Sequence, residues 1–96
     1  MIMDKILSNL GLCQKSGGIV SGEELVLEGI RAGKVCLVFL ANDAGANTTK
    51  TIHDKANFYK VEVNESYSSL ELSNAIGKNG RMVLGVTNKN FLKILK

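Results

Sequence analysis

The residues of this chain best suited to chemistry are glycines placed beside cations and carboxylates. Ser21-Gly22-Glu23-Glu24 opens a helical pattern. A helix start presents unpaired amides to an anion, and a glycine there lets a ligand backbone come close. Lys15 lies in the segment leading to the preceding strand. Ile76-Gly77-Lys78-Asn79-Gly80-Arg81 holds two glycines and two cations just ahead of an apolar run. If the first and last strands are neighbours, Lys15, Lys78 and Arg81 share one rim with that helix start. They would then hold phosphates while the helix start enters a groove. The plain alternative is that Gly77 and Gly80 turn the chain and the cations keep it soluble. Gly22 is read as a first-turn residue, a position where a side chain causes no backbone strain.

Catalytic chemistry is poorly supplied. His53, the single histidine, stands beside Asp54 with no second histidine and no suitably spaced cysteine. It reads as a solvated or half-buried helix residue. Glu23, Glu24 and Glu28 read as a solvated helix face. Gly17-Gly18 lacks the Lys-Ser/Thr ending of a phosphate loop. Cys13 and Cys36 match neither a zinc knuckle nor a CxxC redox pair, so both are expected as core or near-core thiols of a reducing compartment. No catalytic residue, metal or cofactor is expected. No apolar stretch reaches transmembrane length, and the first residues lack the layout of a signal peptide. A cytoplasmic monomer without membrane contact follows as the expectation. The net charge of +3 and a pI near 9.0 suit a nucleic-acid partner without requiring one.

The elements that must position these residues are legible in the hydrophobic pattern. Val35 to Ala41 is a continuous apolar run. A strand with one wet face would alternate, so this one is expected to be covered on both faces. Ile2, Ile6, Leu7 and Leu10 put a helix first; Ile19-Val20 is a short strand. Ser21 and Glu24 have the spacing of a capping box for a helix burying Val26, Leu27 and Ile30. Asn47 is the expected N-cap of a third helix burying Ile52, Ala56 and Tyr59. Lys60 to Val63 alternates, as an edge strand would. Ser68-Ser69-Leu70-Glu71 repeats the capping-box spacing before Leu72, Ala75 and Ile76, and Gly77 is a natural stop. Met82 to Val86 is a second buried strand. Thr87 or Asn88 caps a last helix with Phe91, Leu92 and Leu95 inside. The alternation predicts one domain over residues 1–96, a three-layer α/β/α sandwich with a mixed sheet of about four strands.

In this order the segments Ser21 to Val26, Ile30 to Lys34, Leu37 to Asp43 and Glu71 to Lys78 resemble the ribosomal-protein L-seven-Ae type family, which binds kink-turn RNA. The likeness is greatest to its small bacterial YlxQ-like branch and covers nearly the whole chain. It implies the same α/β/α sandwich. It also implies an RNA site at the start of the second helix: a glycine, one residue, Asn-Glu, two residues and a Lys. Gly22 matches the glycine. Glu24, Leu25 and Glu28 stand where Asn, Glu and Lys are expected, and Ala32 replaces a basic residue with Arg31 beside it. In the family the Asn and Glu bond guanine edges and the Lys supports the backbone. Leu25 offers no polar readout, and Glu28 would repel phosphate. Glu24 still accepts hydrogen bonds from guanine, unless the capping box holds it. Glu24, Glu28 and Arg31 share a helix face of mixed charge.

The sequence thus predicts a non-enzymatic RNA-binding protein for kinked or looped structured RNA, ribosomal RNA included, within a ribonucleoprotein. Its expected site is Lys15, Gly22, Glu24, Leu25, Glu28, Arg31, Lys78 and Arg81. Ribosomal or RNA-processing proteins are the expected protein partners. The competing reading is a protein-interaction module on the same fold that has lost tight RNA binding, for which the acidic helix face argues. A small enzyme is a third reading, which nothing in the motifs supports.

Overall fold

The computed structural model describes residues 4–96. Four short strands and five helices alternate along it, so β1 is Ile19–Ser21, β2 Leu37–Leu40, β3 Glu62–Asn64 and β4 Val83–Val86. The helices are α1 Lys5–Lys15, α2 Glu23–Arg31, α3 Ala46–Tyr59, α4 Ser69–Ala75 and α5 Leu92–Leu95, the last preceded by a 3₁₀ turn over Lys89–Phe91. The helix expected from Ile2 begins, among the described residues, at Lys5. Asp4 caps it by accepting the Ile6 amide at 2.7 Å.

The sheet has the order β1-β4-β2-β3. β4 runs antiparallel to both β1 and β2, whereas β2 and β3 are parallel. Strands β1, β2 and β3 therefore all point the same way. They leave the sheet at one rim, where β4 enters. They enter it at the other, where β4 leaves. These are the exit rim and the entry rim below.

Every residue of β2 and β4 is buried, as continuous apolar runs require. On one face Leu37, Phe39, Leu84 and Val86 meet Leu7, Leu10, Leu72, Ile76 and Leu95 from α1, α4 and α5. On the other, Val38, Leu40 and Val83 meet Val26, Ile30 and Ile52 from α2 and α3. The mixed sheet thus lies between two helical layers, as expected. Two glycines set the closeness of this packing. A Cβ on Gly29 would lie 2.5 Å from Val35 Cγ2, and one on Gly11 would lie 2.9 Å from the Ala75 carbonyl oxygen.

Several local expectations hold. Ser68 and Glu71 form a full capping box at α4. Gly77 follows α4 at φ 69°, and Asn88 caps the terminal turn. Three others do not. Ser21 is no N-cap: it is the last residue of β1, paired with Leu84, and the chain enters α2 through Gly22. Helix α3 is capped by Gly45, two residues earlier than Asn47, where Ala44 folds back to donate to the Ala41 carbonyl. Tyr59 points outward at the end of α3 and is 39% exposed. Both thiols are free, but Cys13 is the fully buried one and Cys36, at the entry to β2, is only half-buried.

Candidate nucleic-acid interface

The exit rim is built around Gly22. Its amide donates to the Val83 carbonyl at 3.0 Å, which ties the start of α2 to the start of β4. Its backbone takes φ 99° and ψ 146°, a region open essentially to glycine alone. No side chain caps α2. The Ser21–Glu24 capping box is absent, so the exposed Glu24 carboxylate is not tied back to the chain. Glu23 instead accepts the Thr48 hydroxyl at 2.7 Å, fastening the starts of α2 and α3 together.

The loop between α4 and β4 stands beside this helix start. Gly77 and Gly80 both adopt positive φ, so they turn it. Ser73, buried in α4, accepts the Arg81 amide at 2.8 Å and donates to the Arg81 carbonyl at 3.3 Å. Lys78 is anchored by its amide to the Ser73 carbonyl, and its side chain is exposed. Arg81 is half-buried, and its Nε is buried without a hydrogen-bond partner. Across the rim, the Ser69 amide and hydroxyl each donate to the Asp43 carboxylate at 2.8 Å. Those two bonds hold the Asp43 carboxyl below its ordinary pKa. Ser73 and Asp43 were missed by motif reasoning. A serine at a core-facing position next to Leu72 was the one available signal for the first.

Other expected residues lie elsewhere. Leu25 and Glu28 face a shallow groove of about 280 Å³ that runs down the flank of β1, lined also by Val20, Ala32, Lys34 and Thr87. Leu25 is 53% exposed there. Arg31 sits in the last turn of α2, at the entry rim. Lys15 is also at the entry rim, because the first and last strands are neighbours but antiparallel. The segment before β1 meets the end of β4, where Thr87 donates to the Gly18 carbonyl. The segment before β4 meets the end of β1. The expected single rim of Lys15, Lys78 and Arg81 is therefore split in two.

The split separates charge. At the exit rim six carboxylates, Glu23, Glu24 and Asp43 among them, stand against Lys5, Lys78 and Arg81. At the entry rim Lys15, Arg31, Lys34, Lys60, Lys89 and Lys96 stand against Glu62 and, along the groove it shares with Lys34, Glu28. Among the described residues no group of three or more His, Cys, Asp or Glu side chains is placed to hold a metal ion. No described helix is long and apolar enough to cross a membrane.

Residues 4–96 match the model of the ribosomal protein L7Ae/L30e/S12e/Gadd45 family. The chain belongs to this family. Among its relatives is the RNA-binding protein YlxQ of Enterococcus faecium, 39% identical over 92 residues, which span 96% of this chain and 88% of the relative. RNA-binding protein YlxQ of Bacillus subtilis strain 168 is 43% identical over 82 residues, 85% of this chain and 82% of that one. A Bacillus halodurans protein of unknown function superposes with a TM-score of 0.93 at 38% identity, covering 97% of this chain and 94% of its own. The Giardia lamblia 15.5kD RNA binding protein shares the fold, with a TM-score of 0.83 at 16% identity over 99% of this chain and 85% of its own. The L7Ae-type fold expected from the sequence is thus the fold of this chain.

Proposed function

We propose that this protein binds structured RNA of a kinked or looped kind through the exit rim, with ribosomal RNA the natural source. The observation that carries the reading is the open start of α2. Gly22 leaves first-turn amides uncapped beside the Lys78–Arg81 loop, in a member of the L7Ae family whose relatives are named RNA-binding proteins. Backbone amides and two cations take phosphates, and Glu24, unheld by any cap, accepts from guanine amino and imino groups. Leu25 contributes apolar contact only. Glu28, on the flank below, opposes a phosphate backbone.

Filter binding against a kink-turn stem and a plain duplex of equal length tests this. Tighter binding to the kink-turn is expected; equal, weak binding to both would sink the specific claim. Glu28→Lys should tighten kink-turn binding by about tenfold, roughly 1.4 kcal/mol for one charge reversal at a screened site. Unchanged binding would mean that the α2 flank does not face RNA. The acid excess of the exit rim favours a second reading, a protein partner with a basic surface. That reading predicts kink-turn affinity no better than duplex affinity, together with binding to a basic protein that is lost on Glu24→Lys.

A further inference from the structure

The entry rim carries more positive charge than the rim to which RNA binding is ascribed above, and it carries exposed aromatic rings as well. Phe58 is 77% exposed, the highest among the large apolar side chains of the described residues. Its ring meets Tyr59 edge-on at 4.9 Å between centroids. A shallow pocket of about 340 Å³ opens beside Phe58, lined by Thr51, Asp54 and Lys55. The residue that follows is Lys60, the one non-glycine residue at positive φ among those described, at 59°. A helix C-terminus turning through the left-handed region ordinarily uses glycine, so a lysine there gives up backbone ease for a charged side chain.

Two carboxylates near these rings are already engaged by lysines: Asp54 accepts from Lys50 at 2.9 Å, and Glu62 faces Lys96 at 3.5 Å. Lys15, Lys34, Lys60 and Lys89 are exposed and make no ion pair among the described residues. Lys15, Lys89, Lys34 and Lys60 stand by the entry-rim ends of β1, β4, β2 and β3 in turn, across a sheet about 15 Å wide at some 5 Å per strand. Lys15 and Lys89 lie on the α1–α5 side, and Lys34 and Lys60 on the side of Phe58 and Tyr59. Cations spread across a rim that also carries exposed aromatic faces suit an unpaired nucleic-acid strand crossing it, whose phosphates and bases need those two things. An acidic protein segment would match the lysines but brings no planar bases to stack on the rings. A duplex would use the lysines but leave the rings without a base.

We propose that the entry rim is a second RNA-binding surface, one that takes a single-stranded segment by stacking bases on Phe58 and Tyr59 and seating phosphates on Lys15, Lys34, Lys60 and Lys89. It lies at the far end of α3 from Gly22, about 20 Å away by helix length. Strands flanking a structured element held at the exit rim would reach it.

The probe is a labelled, mixed-sequence single-stranded RNA of about ten nucleotides, followed by fluorescence anisotropy. The full chain should bind it with a log–log salt slope of about −3, roughly 0.7 per phosphate neutralised by four lysines. Phe58→Ala should weaken binding about tenfold without lowering the melting temperature, since the ring is exposed. Lys60→Gly should weaken binding severalfold while raising the melting temperature, because it removes charge and backbone strain together. Blunt-ended kink-turn RNA keeps its affinity in both variants, so a failure of kink-turn recognition leaves this test intact, and the reverse holds. Unchanged single-strand affinity in Phe58→Ala and Lys60→Gly would overturn the proposal. So would equal displacement of the RNA by a polyglutamate peptide of matched charge, which would make the rim a general anion surface.

Discussion

At the scale of single residues, Gly22 and Cys13 reward attention for opposite reasons. A Cβ on Gly22 meets nothing within 4 Å, so space does not forbid a side chain. The backbone does: φ 99° with ψ 146° is strained for every other residue. Gly22→Ala should therefore cost about 1–3 kcal/mol, a backbone penalty that a melting curve followed by circular dichroism will show. Sequence reasoning placed Gly22 inside the first helical turn, where a side chain is harmless. One position of error at a helix boundary reversed the expected effect. Cys13 is buried, and burial first, then the neighbouring Cys36, pushes its thiol up to about 11 from 9.0. Tyr67 is raised to about 12 from 10.0, by burial and then by the bond it donates to Asp4. Both groups hold their protons more tightly in the folded chain than in the unfolded one. Their contribution is complete below the unfolded values and is lost as pH rises through the folded ones. Melting temperatures should thus fall from pH 9.0 upward, and fall less steeply in Cys13→Ala.

At the scale of elements, what was legible followed from pattern, and what was not depended on pairing. The unbroken run through Leu37–Leu40 announced a doubly covered strand, and Ser68–Glu71 announced its helix start by spacing alone. Both signals are local. Ser68→Ala should cost about 1 kcal/mol, seen as a melting point lower by roughly 4–8 °C for a chain of this size. Ser21 and Glu24 have the same spacing and form no box, because Ser21 is claimed by the β1–β4 ladder. That competition is invisible until the partner strand is known. The candidate site divides along the same line. Gly22, Lys78 and Arg81 share one rim as expected, because each sits next to the glycines or strands that place it. Lys15 was put at the wrong rim, since neighbouring strands leave two directions open and residue types do not choose between them. The outward turn of Phe58 and Tyr59 was equally hidden. Tyr59 keeps helical spacing with Ile52 and Ala56, yet α3 ends just as it comes round.

At the scale of the whole molecule, the fold is an acidic rim and a basic rim held apart by one sheet, and the reversal of β4 creates the division. That reversal also has a consequence in time. Among the described residues β4 follows the other three strands in the chain, yet it sits second in the sheet and joins β1 to the rest. β2, α3 and β3 form a parallel unit that can close on its own during synthesis. β1 has no strand to pair with until residue 83 has emerged, although α2 already has α3 and β2 to pack on. β1 must therefore wait with its ladder unmade, and the sheet keeps an open edge on β2 until β4 arrives. A chain stopped after Arg81 should bind a dye for exposed apolar surface and melt without a cooperative transition, while the full chain does neither. A growing copy of this protein thus cannot complete either rim before β4 has emerged, and its two rims come into existence together or not at all.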